Sequence, residues 1–178
     1  MPLLPLKNDF CAISDLTNEA SVEAWFITPL LGALGYAKKE IALKTSIQEF
    51  KIGKGHKSIL YKPDYILQIE GIPCAIIDAK APNEPIERWE HQCSSYCLEL
   101  NKLYDYNPVM LFIISNGIKT SVYRWDLKSS ILTIDFSDFV KGNLSYNNLT
   151  NLIGRDTIKK ESSDLRNDLE NSSFILEK

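Results

Sequence analysis

Two aspartates and a lysine, Asp64, Asp78 and Lys80, stand in a stretch that otherwise reads as β-structure. A strand from about Ser58 to Ile69, a Glu70-Gly71 turn and a strand from Ile72 to Ala79 make a hairpin. Asp64 and Asp78 both sit at the hairpin end opposite that turn, where they are expected to lie across from each other on neighbouring strands. Carboxylates are poor strand formers and costly to hold near a sheet core. Two that close repel unless a cation sits between them. Oxygen ligands of this kind suit Mg²⁺ or Mn²⁺, with the Ala79 carbonyl available as a further ligand. Such an ion could polarise a phosphodiester and acidify a bound water. Lys80 shares the face of Asp78 and could orient that water or stabilise charge on the phosphate. The same spacing also fits a plain surface salt bridge between Lys80 and one aspartate.

Several elements must position these residues. Asp15, Thr17 and Asn18 are all capable N-caps for a helix running to about Leu34, with Gly35 as its left-handed stop. Pro29 is expected to kink or divide it, because Trp25 loses its hydrogen-bond donor. Val22, Phe26, Leu30, Ala33 and Leu34 form one apolar stripe, and Glu19 and Glu23 project onto that stripe. Either these acids face the core, or the first turn is exposed and the helix dipole favours them there. Partial alternation follows from Ile41 to Ile52, then a basic turn, Gly53-Lys54-Gly55-His56-Lys57, which could touch phosphate or simply be solvated.

Ala75-Ile76-Ile77 is apolar on both faces, as in a central strand. After Pro82 and Pro85 a helix is expected from Ile86 to Tyr104, with Trp89, Cys93, Tyr96, Cys97 and Leu100 on its apolar side. Arg88, Gln92 and Tyr96, spaced four apart, line one edge of that side. Strands follow at Val109 to Ile114, Ile118 to Trp125 and Ile131 to Phe136, the first closed by Ser115-Asn116-Gly117. A short helix fits Leu144 to Ile153, and the residues after Gly154 are polar and weakly helical. The order predicts an α/β fold with a mixed central sheet flanked by helices.

With 178 residues, 44% hydrophobic and 24% charged, the chain suits one soluble domain over residues 1–154, its core at about 17–136, with 155–178 as a polar tail or linker. A net charge of −3 argues against a free-standing, tight, non-specific DNA binder. No leader is recognised in Met1 to Phe10, and no apolar run has the length of a membrane span. Cys11, Cys74, Cys93 and Cys97 read as reduced, cytoplasmic thiols. His91, Cys93 and Cys97 share one helix but not one face, which disfavours zinc.

Pro63-Asp64 followed by Asp78-Ala79-Lys80 at the end of an apolar strand resembles the PD-(D/E)xK nuclease motif. Lys62-Pro63-Asp64-Tyr65, Ile77-Asp78-Ala79-Lys80-Ala81-Pro82-Asn83-Glu84, Gln92-x-x-x-Tyr96 and Ser115-Asn116-Gly117 together resemble the N-terminal nuclease domain of type I restriction enzyme R subunits, from about Thr17 to Phe136. The resemblance implies a restriction-endonuclease-like fold and metal-dependent cleavage of double-stranded DNA. It implies Asp64 and Asp78 as metal ligands, Lys80 as the catalytic lysine, and Glu23, with Glu19 in reserve, as the helix acid near the metal. Gln92 and Tyr96 would help position DNA. Motor and specificity or methylation components would be partners. A rival of another class is a nuclease-like module that binds DNA or an assembly without cutting.

Overall fold

The computed structural model describes residues 6–43, 51, 52, 59, 60 and 62–176; the turn with His56 lies outside them. Six strands form one sheet in the order β1-β4-β5-β6-β7-β8: Ile41–Leu43, Tyr65–Ile69, Ile72–Ala79, Leu111–Ser115, Lys119–Arg124 and Ser130–Asp135. Among the described strands only β5 and β6 run parallel, so the sheet is mixed, as expected. A parallel pair needs a crossover. Here it is a 3₁₀ turn, Ile86–Trp89, leading into α3, Glu90–Asn101. Asn101 closes the crossover, accepting from the Val109 N–H at 2.8 Å and donating to the Val109 carbonyl at 3.0 Å. The helix stops short of Tyr104.

The expected long first strand is divided. Pro63 cannot donate to a ladder. β3, Ile59–Leu60, pairs with β2, Lys51–Ile52, in a separate small sheet, and β4 starts only at Tyr65. Glu70 and Gly71 both have positive φ, +54° and +82°, as a two-residue hairpin turn requires. The hairpin is not evenly counted, however. Ile69 faces Ile72 and Gln68 faces Pro73, but Leu67 faces Ala75 and Tyr65 faces Ile77. A bulge adds Cys74 to β5. Without it the register would set Asp64 against Ile77; with it, Asp64 comes opposite Asp78.

The first helix also differs from expectation. Around Pro29 the helix changes type rather than ending. α1, Glu19–Ser21, passes into a π-helical stretch, Val22–Ile27, and then into α2, Thr28–Ala33, with the proline in its first turn, where a missing N–H is tolerated. The Thr28 N–H bonds to the Glu23 carbonyl, five residues back. The buried stripe therefore takes in Ile27 and Leu31, and Ala33 is exposed. Gly35 is the left-handed stop at φ +91°.

This helix packs one sheet face, Phe26 and Leu30 meeting Leu67, Ala75 and Ile77 in a core shared with Phe139, Leu149 and Ile158. α3 covers the other, Cys93, Tyr96 and Cys97 meeting Ile76, Phe112 and Ile114. Alternation along β5 sends Ile76, Asp78 and Lys80 toward α3. α4, Leu144–Ile153, is followed by α5, Arg155–Leu176. Its first turn is docked: Arg155 pairs with buried Glu40 at 2.8 Å and Ile158 is buried. Among the described residues no helix is long and apolar enough to cross a membrane.

Gly117, in the β6–β7 turn, has φ +78°, and an added Cβ would lie 2.6 Å from Leu16 Cδ1. Gly117→Ala is expected to lower unfolding free energy by about 2 kcal/mol, combining left-handed strain with displacement of Leu16. Denaturant unfolding checks this, and a loss below ~0.5 kcal/mol would contradict it.

Candidate active site

Asp64, Asp78 and Lys80 are buried, with exposures of 5%, 3% and 7%. Asp64 precedes β4 and Ala79 ends β5, and Asp64 Oδ2 accepts the Ala79 N–H at 2.7 Å. The Lys80 N–H then donates to the Ser115 carbonyl at 2.8 Å, continuing the parallel ladder one residue past β5. Both backbone bonds fix where the Asp78 and Lys80 side chains leave the sheet.

The Lys80 ammonium contacts Asp78 Oδ2, so a salt bridge is present, but it is a buried one. That oxygen is shut from solvent and makes no hydrogen bond of ordinary geometry among the described residues. Burial pushes the Asp78 carboxyl up to about 6, against the charge and hydrogen bond of Lys80, while the charge of Asp64 adds to the rise and a Cys93 thiol donor opposes it. Burial works against the Lys80 ammonium, but Asp78 first, then Asp64 and Glu19, outweigh it and hold its pKa above the usual value. Lys80 Nζ also lies 4.4 Å from the centroid of the Trp89 ring.

The first helix brings its acids to the same place. Carboxylate oxygens of Glu19, Glu23 and Asp64 lie within 4.8 Å of one another. Both glutamates are half-buried, so the first turn faces the hairpin rather than open solvent. Asn18 caps that turn, accepting the Ser21 N–H at 2.9 Å. The Tyr65 hydroxyl donates to the Glu23 carbonyl at 3.5 Å, and burial pushes its phenol up to about 12. Asp78 is not in this group of three: the nearby ammonium draws its carboxylate toward α3. The two aspartates are neighbours across the hairpin, and each feels the charge of the other and of Lys80.

On α3 the Gln92 amide donates to the Tyr96 hydroxyl. Tyr96 is buried, and burial raises its phenol, with the charges of Asp78 and Asp64 contributing. Gln92 and Tyr96 therefore border the acids, while Arg88, in the 3₁₀ turn, points to solvent. His91 is exposed whereas Cys93 and Cys97 are buried, and among the described residues these three make no ligand group. Ser115-Asn116-Gly117 acts as a clamp. Asn116 Oδ1 accepts from Ile118 and Lys119, and its amide donates to the Glu84 carbonyl at 2.8 Å, holding the loop that leaves Lys80. Trp89 and Cys93, read from sequence only as apolar helix positions, contact the lysine and the aspartate. Their nearness to the end of β5 follows from the crossover, which no spacing in the sequence announces.

Acids at the ends of two strands, a lysine beside them and a helix acid opposite form an arrangement suited to a hard cation and an anionic substrate. The family model for the type I restriction enzyme R protein N terminus matches residues 44–126, a span holding Asp64, Asp78, Lys80, Gln92 and Tyr96 but neither helix glutamate. Among solved structures, a fragment described as an HsdR subunit of a type I restriction enzyme from Vibrio vulnificus superposes with a TM-score of 0.50 at 20% identity, over 74% of this chain and 25% of that one. No curated protein matches. The chain is an α/β protein with the fold of that fragment, and spans about a quarter of the fragment's length. It resembles the N-terminal domain of type I restriction enzyme R subunits.

Asp64→Asn keeps an acceptor for the Ala79 N–H and removes one of three crowded charges; Asp64→Ala orphans that N–H. Denaturant unfolding is expected to leave the asparagine variant as stable as wild type or more so. The alanine variant is expected to lose ~1–3 kcal/mol. Equal losses would mean that the bond to Ala79 does not hold the hairpin end.

Proposed function

We propose that this chain is a divalent-metal-dependent endonuclease domain that hydrolyses DNA phosphodiesters, acting as the R subunit of a type I restriction system does. The observation that carries it is the buried Asp64–Asp78–Lys80 set at the ends of β4 and β5, faced by Glu19 and Glu23. A binding module has no use for buried acids beside the path of a phosphate.

The residues fit a hard cation. Their donors are carboxylate oxygens, those of Glu19, Glu23 and Asp64 crowded within 4.8 Å of one another. Asp64, Asp78, the Ala79 carbonyl and Glu23, with Glu19 as the alternative, would hold Mg²⁺, or Mn²⁺ in its place. The bound ion would polarise the phosphodiester and lower the pKa of a water. Lys80, kept protonated, stabilises charge developing on the phosphate oxygens. Gln92 and Tyr96 guide the DNA backbone past the strand ends. With a net charge of −3, the domain depends on motor and specificity partners for its hold on DNA.

The direct test is nicking of supercoiled plasmid with Mg²⁺ or Mn²⁺. Lys80→Ala is expected to slow it by roughly 10²-fold or more. Equal nicking by both proteins would overturn the role of Lys80. Metal binding has a separate signature. Mn²⁺ should raise the thermal midpoint of the wild type at pH 8. That gain should shrink as pH falls through about 6, where Asp78 takes up a proton and stops being a ligand. A gain unchanged between about pH 5 and 8 would exclude Asp78 from the metal site.

A further inference from the structure

Besides the charges of Asp64 and Glu19, which act on it from farther off, Lys80 is in contact with two unlike groups. On one side is the Asp78 carboxylate; on the other, 4.4 Å from Nζ, is the face of Trp89. A cation within about 6 Å of an indole centroid is attracted by the ring quadrupole, more strongly when both are shielded from water. Shielding applies here, since the Lys80 side chain is only 9% exposed. Trp89 is itself well seated. It ends the 3₁₀ turn, immediately precedes α3 and packs against the cluster of Ile86, Cys93 and Tyr123. The loop before it is clamped by Asn116 through the Glu84 carbonyl.

The two attractions respond differently to a divalent ion. A carboxylate directed at the metal pulls less on the ammonium, and the two cations repel. The ring is neutral and has no lone pair for a hard cation, so its attraction persists. We propose that Trp89 is a positioning residue for Lys80, its indole face seating the ammonium beside the strand ends when Asp78 serves the metal. The purpose of that seat rests on the nuclease reading above; the contact itself does not.

A double-mutant cycle in denaturant unfolding tests it, using wild type, Trp89→Leu, Lys80→Met and the pair, each with chelator and with Mn²⁺. The loss caused by Trp89→Leu should be smaller in the Lys80→Met background under both conditions. Additive losses with chelator would overturn the contact. Coupling that vanishes with Mn²⁺ would overturn the seat. In plasmid nicking, Trp89→Leu should lower kcat by roughly tenfold or more with the half-saturating Mn²⁺ unchanged. Trp89→Phe, which keeps a ring, should recover most of the rate. Phe and Leu variants falling equally, or a raised Mn²⁺ requirement, would assign Trp89 a packing role instead. If the wild type neither binds Mn²⁺ nor cuts, the nuclease reading fails and the seat with it, while the chelator arm still decides the contact.

Discussion

The bond from the Ala79 N–H to Asp64 Oδ2 is where the chain's energetic conflict concentrates. It fastens a carboxylate to the end of β5 next to a second carboxylate, inside a fold that excludes water from both. Taking an ion out of water costs several kcal/mol even after relaxation. Charges stay there only if neighbouring structure leaves them nowhere else to go. Three devices do this. The Lys80 backbone is pinned to Ser115, the Asn116 clamp fixes the following loop, and a bulge at Cys74 sets the register of β4 on β5. Remove the bulge and Asp78 would no longer face Asp64.

The first helix responds to the same constraint from the opposite side of the sheet. Its apolar stripe packs on Leu67 and Ile77, while its first turn carries Glu19 and Glu23 around the sheet end to Asp64. π-helical turns recur at functional sites, where they turn a side chain away from the regular helical path. Here the widened turns begin at Val22, between the two acids. The family match covers the hairpin and α3 but starts after this helix, whose glutamates are brought to Asp64 by geometry.

Much of this was legible in the residues because the signals were local. Glu70-Gly71, Gly35 and the span Leu144–Ile153 announce a turn, a stop and a helix through backbone preference, and each is found where expected. Asp64, Asp78 and Lys80 stood out as charges in a strand pattern. What stayed hidden is non-local or a matter of one residue. Pro73 gave no warning that Cys74 would bulge out beside it, and an even count from the turn sets Asp64 against Ile77; the bulge alone brings Asp78 opposite Asp64. Pro29 read as a break, whereas the helix absorbs it by widening the preceding turns. Trp89 and Cys93 looked like core positions, and only the packing of α3 on β5 brings them to Lys80 and Asp78. The separation of Asp78 from the other acids follows from its ion pair, a contact that competes with any pairing read from strand register.

For the proposed chemistry, the ends of β4 and β5 and the first turn of the first helix must be one cation site. The most direct measurement is a crystal structure of the protein with Mn²⁺, the ion located by its anomalous scattering. The predicted result is one Mn²⁺ held by Asp64 and Asp78, with Glu19 or Glu23 turned toward it and Lys80 released from Asp78 onto the Trp89 face. Mn²⁺ bound elsewhere, or Asp78 still paired with Lys80 while the acids remain empty at saturating metal, would contradict it.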